Sequence, residues 1–507
     1  MRAAWIGSVA VGILAGTAPN ALAAVSQVQA APQEVAQGDA TVALTYAAAQ
    51  QRVRSNSSLG RAAGYGMQAA RAQADVAAGL NRPTVALDAQ LIRYRKTFDL
   101  SLGDTLDRAQ AELGAAIPGL IADLQGVPGD VLQSVGQRLE AALPEIFAAL
   151  PQDVRLQVDD TTFRPTVTAL QPIYTGGAIP ALRRAAAANV DLAQAKQQEA
   201  VSLEDVNLAR AYFGQVLAAE ALKIARETRD GFDLHLRNAR LLESQGVLSH
   251  AQTLQVEVAR DAAQRQVNRA ELEHDNAVAS LARVVDTNGA VVPTTPLFVN
   301  RDPIGPAGVF LDQASQTNAR LAQAQAGRDL AEAGADLAAS RMKPSVYAFG
   351  TYNLNPDDAL PTEPDWAVGI GARYTLISTV DRRRMLGAAR AQASAAAEVE
   401  RQARDDARLL VTRAYNQAEL ARRQFLSMDS SLEAASENLR VQEVGFREGE
   451  ATAASVVDAR NLLGAARLQR AAAAYEYDLS LAALLAASGS DLTLNDYLQR
   501  EDRISAP

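Results

Sequence analysis

The chain of 507 residues has no cysteine. This excludes disulfides, thiol catalysis, cysteine-based metal sites and a lipid attached through cysteine. Aromatic residues make up only 5% of the chain, and alanine supplies much of the 48% that is hydrophobic. Alanine favours helix and lets backbones approach closely, yet each one buries little area. Such a composition suits long helices packed side by side rather than one large core. The three histidines, His235, His250 and His274, lack the spacing of a ligand cluster and read as exposed helix residues. There is no Gly-rich phosphate loop with its lysine, so any ATP-driven step belongs to a partner. No carboxylate pair stands out in an apolar setting. The chain therefore carries no enzyme signature, and no cofactor or metal is expected. The net charge of -9 argues against nucleic acid as a partner. Beyond the N-terminus there is no run of about 18 apolar residues. An integral membrane role would then require a β-barrel.

Residues 1–23 have the form of a secretory signal peptide, with Arg2, an apolar stretch from Ile6 to Ala15 and an Ala21-Leu22-Ala23 cleavage pattern. A polar leader, 24–41, follows. The dominant feature beyond it is an internal repeat. Adding 203 to a number between Phe163 and Asp286 takes Gly246 to Gly449, Tyr212 to Tyr415 and Leu236-Arg237 to Leu439-Arg440. A repeat of this kind sets the architecture. Each copy opens with an alternating, strand-like segment, continues as a very long Ala-rich helix, breaks at the glycine and returns as a second helix. The outgoing helix of the first copy spans 178–244, roughly 100 Å at the α-helical rise.

The pattern divides the chain as follows. A helix over 42–81 ends at Pro83 and leads into a strand at 82–96, with Val85, Leu87, Ala89 and Leu91 on one face. Residues 97–162 are an acidic insertion with 11 acidic residues against 3 arginines between Asp99 and Asp160. Pro118, Pro128 and Pro144 are expected to divide it into short helices. The first repeat covers 163–354: strand, long helical hairpin, helix and strand. A joining loop at 355–364 precedes the second repeat, 365–489, whose helix and strand are supplied by the N-terminal 42–96. The clearest strand lies at 365–378. Trp366, Val368, Ile370, Ala372, Tyr374 and Leu376 share one face, and Ala367, Gly369, Gly371, Arg373 and Thr375 the other. Residues 490–507 read as a polar tail.

Four strands cannot close a barrel around a pore, and an open sheet leaves two unpaired edges. Three chains would give twelve strands, within the range of membrane barrels. The expected fold is mainly α with a membrane β-barrel portion, built from duplicated strand–long helix–helix units and closed by a trimer. The same count gives twelve helical columns, a hollow cylinder of antiparallel coiled coils.

The order, spacing and duplication of these pieces, with the segment Phe446-Arg-Glu-Gly449-Glu-Ala-Thr-Ala-Ala-Ser-Val-Val-Asp458-Ala-Arg460, resemble the TolC family of outer-membrane efflux and type I secretion channels. The resemblance covers nearly all of 42–489. It implies a homotrimer whose barrel sits in the outer membrane and whose tunnel crosses the periplasm. The expected partners are outer-membrane lipid, a periplasmic adaptor and an inner-membrane transporter. It further implies that the tip closes and opens, and that Asp458, Ser455 and Ala451 stand at the periplasmic aperture. Of the family's two acidic ring positions only Asp458 is kept. Gly246, Gly449 and Phe446 mark the tip turns where an adaptor would dock.

Arg373 is expected in the barrel lumen, and Trp366 and Tyr374 at the membrane interfaces. Tyr212 and Tyr415 are expected to be packing knobs with polar tips. Asp458 could instead be a carboxylate stabilised at a helix N-terminus, and the glycines simple C-caps. The first rival to the whole reading is a periplasmic coiled-coil scaffold or adaptor without a pore, and the second an exported hydrolase with its site in the 97–162 insertion.

Overall fold

The computed structural model describes residues 42–122, 128–151, 153–358, 364–490 and 492–506. The signal peptide and leader of the sequence reading lie outside these. In chain order the elements are β1 (Val42–Leu44), α1 (Tyr46–Asn56), α2 (Ser58–Ala78), β2 (Thr84–Ser101), α3 (Gly103–Ala122), α4 (Gly129–Ala148), β3 (Asp153–Tyr174), α5 (Ala178–Ser244) and α6 (His250–Val285). Then come β4 (Val291–Pro293), β5 (Phe298–Asn300), α7 (Ala307–Thr317), α8 (Ala319–Ser340), β6 (Ser345–Asn353), a 3-10 turn (Pro356–Asp358) and β7 (Trp366–Arg373). The chain finishes with α9 (Arg382–Glu448), α10 (Ala453–Ser488), α11 (Leu494–Leu498) and β8 (Arg503–Ser505).

The duplication is quantitative. Both outgoing helices, α5 and α9, have 67 residues, and both returning helices, α6 and α10, have 36. The shorter helices differ from the sequence reading. The helix of 42–81 is two helices parted at Ser57, whose hydroxyl accepts from Gly60 N at 3.0 Å. Asn318 parts α7 from α8 in the same way, accepting from Leu321 N at 3.0 Å. A capping side chain satisfies an orphan amide and licenses a new helix at a bend.

The strands β2, β3, β6 and β7 form one antiparallel sheet in that order. Its faces differ chemically. Register partners project to the same side, which places Val85, Leu87, Leu91, Phe163, Val167, Val368, Ile370 and Trp366 together. Leu91, Val368 and Ile370 are each 73% exposed, so none of the described residues covers this apolar face. The opposite face carries Asp88, Gln90, Thr166, Thr168 and Thr351, and Thr168 donates to Asp88 at 3.2 Å.

Helices continue the sheet's order. Nearer the sheet, α2 packs on α5, α5 on α8, and α8 on α9; nearer the tips the row is α6, α5, α10, α9. Ion pairs stitch α8 into the wall, from Arg320 to Glu199 at 2.9 Å and from Arg328 to Glu400 at 2.7 Å. Among the described residues the N-terminal α2 packs mainly on α5 and makes no comparable contact with α9. Within one chain the N-terminal helix and strand therefore lie beside α5 and β3, at the opposite edge from α9 and β7.

Around the middle of the long helices sits the main core. Tyr212 donates to Leu44 O at 2.7 Å and accepts from Thr294 N and Thr295 N at 3.0 and 2.9 Å. Its repeat partner Tyr415 donates to Gly305 O at 2.8 Å. Both are knobs with a polar tip, and both tie a long helix to a connecting segment. The C-terminal residues join this core. Leu494, Tyr497, Leu498 and Ala506 are buried, and β8 pairs with β5. Residues 492–506 are thus folded structure, where their polarity suggested a tail.

The acidic insertion also differs from expectation. The strands run through both its ends, to Ser101 and from Asp153. Opposite charges face each other across the ladder, Arg95 to Asp159 at 2.6 Å and Arg155 to Asp99 at 2.8 Å. Pro118 and Pro144 lie inside α3 and α4 rather than between helices, and only Pro128 stands at a helix start. At the other end of the sheet β7 stops at Arg373, so Tyr374 and Leu376 fall outside the strand.

Candidate functional site: the hairpin tips and the open edges

The two hairpin tips are built alike. After α5, Gly246 adopts φ 74°, and the amides of Val247 and Leu248 donate to Leu242 O at 2.9 and 3.3 Å. After α9, Gly449 adopts φ 80°, and Glu450 N and Ala451 N donate to Gly445 O at 2.8 and 3.0 Å. A left-handed residue allows these closures, and glycine enters that region without a Cβ clash. Returning helices start with side-chain caps. Ser249 forms a capping box with Gln252, and Thr452 accepts from Ser455 N at 3.1 Å. Both turns are exposed.

The residues singled out at the second tip separate into three environments. Asp458 is exposed, and it makes no hydrogen bond or ion pair with the other described residues. Ser455 is half-buried and its hydroxyl lies 2.7 Å from that of Thr452, so it belongs to the cap. Ala451 fills the turn: a Cβ added at Gly445 would stand 3.1 Å from its methyl. Phe446 is not a surface residue. Only 4% exposed, it packs between the hairpins with Leu236, Ala239, Val256 and Leu439.

Sequence reasoning missed the partners that hold the tips together. His235 is buried rather than exposed. Its ring meets that of Phe446 edge-on at 4.6 Å, and Nε2 lies 3.4 Å from Ala453 O. Burial holds its pKa below the usual histidine range, and the positive Arg460 lowers it further. Arg460 pairs with Glu443 and lies over the ring of Phe232, 5.9 Å from its centroid. It belongs to α10, Phe232 to α5 and Glu443 to α9, so one guanidinium ties three helices. The available signal was Gly231, a glycine inside a long helix, which costs stability unless something needs the space.

At the sheet, Arg373 is exposed at the helix-proximal end of β7, on the same face as Gly369 and Gly371. Their register partners Phe349 and Tyr347 lean across these glycines, where a Cβ would approach the rings to 2.9 and 2.7 Å. Trp366 is at the far end of β7, on the apolar face. Tyr374 is exposed near the start of α9, with the Arg382 guanidinium 6.0 Å from its ring centroid. Two edges remain open. Among the described residues β2 and β7 are each paired on one side only, and the helical rows end at the same two places.

This architecture is found in outer-membrane channel proteins. Structures of CusC (TM-score 0.68, 15% identity, 88% of this chain and 92% of that one), CmeC of Campylobacter jejuni (0.67, 13%, 90% and 89%) and MtrE of Neisseria gonorrhoeae (0.64, 16%, 88% and 89%) superpose on it. Residues 310–490 match the family described as outer membrane efflux protein, and the chain has the fold of TolC-family channels. Among curated proteins, Protein CyaE of Bordetella pertussis is 28% identical over 273 residues, 50% of this chain and 56% of that protein. The chain thus spans little more than half the length of that relative.

Proposed function

We propose that three copies close into an outer-membrane channel with a periplasmic helical tunnel, exporting small molecules or polypeptides in a tripartite efflux or type I secretion system. The observation that carries this is the shared order of the two layers. Strands β2-β3-β6-β7 and helices α2-α5-α8-α9 end at the same open positions. The β7 edge of one chain and the β2 edge of the next would pair, as α9 and α2 would pack. Closure removes every unpaired backbone edge, which a membrane interior requires. It also turns the uncovered apolar sheet face to lipid and the polar face to water. Conduction is passive, and energy comes from an inner-membrane transporter joined through an adaptor at the exposed tips. Three copies of Asp458 around the axis would favour cations at the aperture.

Purified protein in detergent should have the mass of three chains, and it should give discrete conductance steps in planar bilayers. A monomeric mass together with silent bilayers would overturn the channel and favour a scaffold.

A further inference from the structure

The helix pair α3 and α4 has an apolar face that the other described residues leave bare. It stands at the end of the sheet remote from the long helices, because Tyr174 and Arg373, at the opposite end, lead into α5 and α9. It is carried there on a ribbon. The β6 partner of Thr166 is Asn353, its last residue, so Ala89–Ser101 and Asp153–Pro165 continue as two strands alone. In α4 the stripe Leu132, Gly136, Leu143 and Phe147 is buried or half-buried, and α4 packs on α3. Beside it runs a second stripe, Val131, Val135, Leu139 and Ile146, ending at Leu150, and these residues are 43–57% exposed. On α3, Leu113 and Leu120 are likewise exposed. The apolar arc of α4 is therefore about twice as wide as one helical neighbour needs.

We propose that the missing neighbour is the same hairpin of the next copy, so that three hairpins close as a six-helix lid over the outer mouth of the barrel. The inference rests on the trimer proposed above. Continuity with that interface is its first support. The strand leading into α3 is β2, an open edge that the neighbour's β7 pairs in the closed barrel, so hairpins of adjacent copies are tethered side by side. The two bare faces are also different surfaces, α4's long stripe and α3's Leu113 and Leu120. A contact between unlike surfaces closes as a ring under threefold symmetry. Charge argues against lipid as the occupant. Residues 103–148 contain seven acidic residues, two arginines and no lysine, whereas helices lying on membranes carry Lys and Arg on the polar face.

The cysteine-free chain makes the test direct. Two differently tagged variants, Leu113→Cys and Val135→Cys, are co-expressed and purified as trimers, and unlinked material is probed with a membrane-impermeant maleimide. The expected result is a disulfide-linked or bis-maleimide-linked species carrying both tags, with loss of maleimide labelling at Val135→Cys in the assembled protein. Free labelling at both positions in a preparation of trimeric mass overturns the lid and leaves the channel standing. Protection without linkage also overturns it, because lipid or another protein then covers the face. A monomeric mass removes the trimer itself, and the lid with it.

Discussion

Gly231 and Arg460 occupy one space: a methyl group added to Gly231 would overlap the guanidinium of Arg460. The glycine thus seats the side chain that joins α5, α9 and α10 near the tips. Gly231→Val should expel Arg460 from its place over Phe232 and beside Glu443, and so act like Arg460→Ala. Each should cost about 1–2 kcal/mol, the sum of a partly buried cation–π contact and a half-exposed ion pair. The two changes share a mechanism, so the double variant should be no worse than either single one. Thermal unfolding of the three variants measures this, and additive losses would contradict it.

His235 gives the tips a pH dependence with a defined sign. Its folded pKa is lowered by burial, so between that value and the unfolded pKa of about 6.5 the unfolded state binds the extra proton. Its contribution to stability is complete above about pH 6.5 and falls as the solution is acidified. Unfolding temperatures should drop between neutral and mildly acidic pH. His235→Phe, which keeps the aromatic contact with Phe446, should flatten that part of the profile. An unchanged slope would place the responsible group elsewhere.

Asp478 should have the opposite sign. It is fully buried in the main core, where Oδ2 accepts from Phe298 N at 3.3 Å and Oδ1 has no partner among the described residues. Burial raises its pKa well above the carboxylate range, so the folded state holds a proton that the unfolded state releases. Stability from this group is present in acid and declines as pH rises above about 3.9 toward the folded pKa. Asp478→Asn should remove the decline and raise the unfolding temperature at pH 8. Asp478→Ala, which orphans the Phe298 amide, should cost about 1–3 kcal/mol.

The tip glycines separate backbone strain from crowding. A Cβ at Gly449 would meet nothing within 4 Å, so Gly449→Ala costs only its left-handed conformation, about 1–2 kcal/mol. Asn at the same site should recover part of that loss. Chemical denaturation should rank Gly above Asn above Ala.

For conduction the informative change is Asp458→Asn. If three carboxylates ring the aperture, the cation-to-anion permeability ratio should fall, by about twofold or more given the field focusing expected in a narrow bore. Reversal potentials in a salt gradient measure it. An unaltered ratio would take Asp458 away from the constriction.

The long-range plan was legible in the sequence because it is periodic. The 203-residue offset, the glycines at the turns and the alternation around Trp366 need only local pattern to be seen. What escaped depends on partners far away in sequence. Ser57 and Asn318 are matching caps, each defined by an oxygen that reaches an amide three residues on. His235 resembles a surface histidine until Phe446 and Ala453 are placed over it. The strand ends around Asp99 and Asp159 look like acidic loop, since their stabilising arginines, Arg155 and Arg95, stand opposite them only once the register is known. Residues 492–506 are polar on average, yet four apolar side chains among them anchor the whole segment.

The matched helix lengths carry a mechanical consequence. With 67 residues out and 36 back in each hairpin, six tips of the proposed trimer would end level and offer a docking partner a flat rim. One added turn in a single hairpin would stagger alternate tips by about 5.4 Å and leave the rim crenellated. Any tolerated change in tunnel length must therefore be made twice in the same chain.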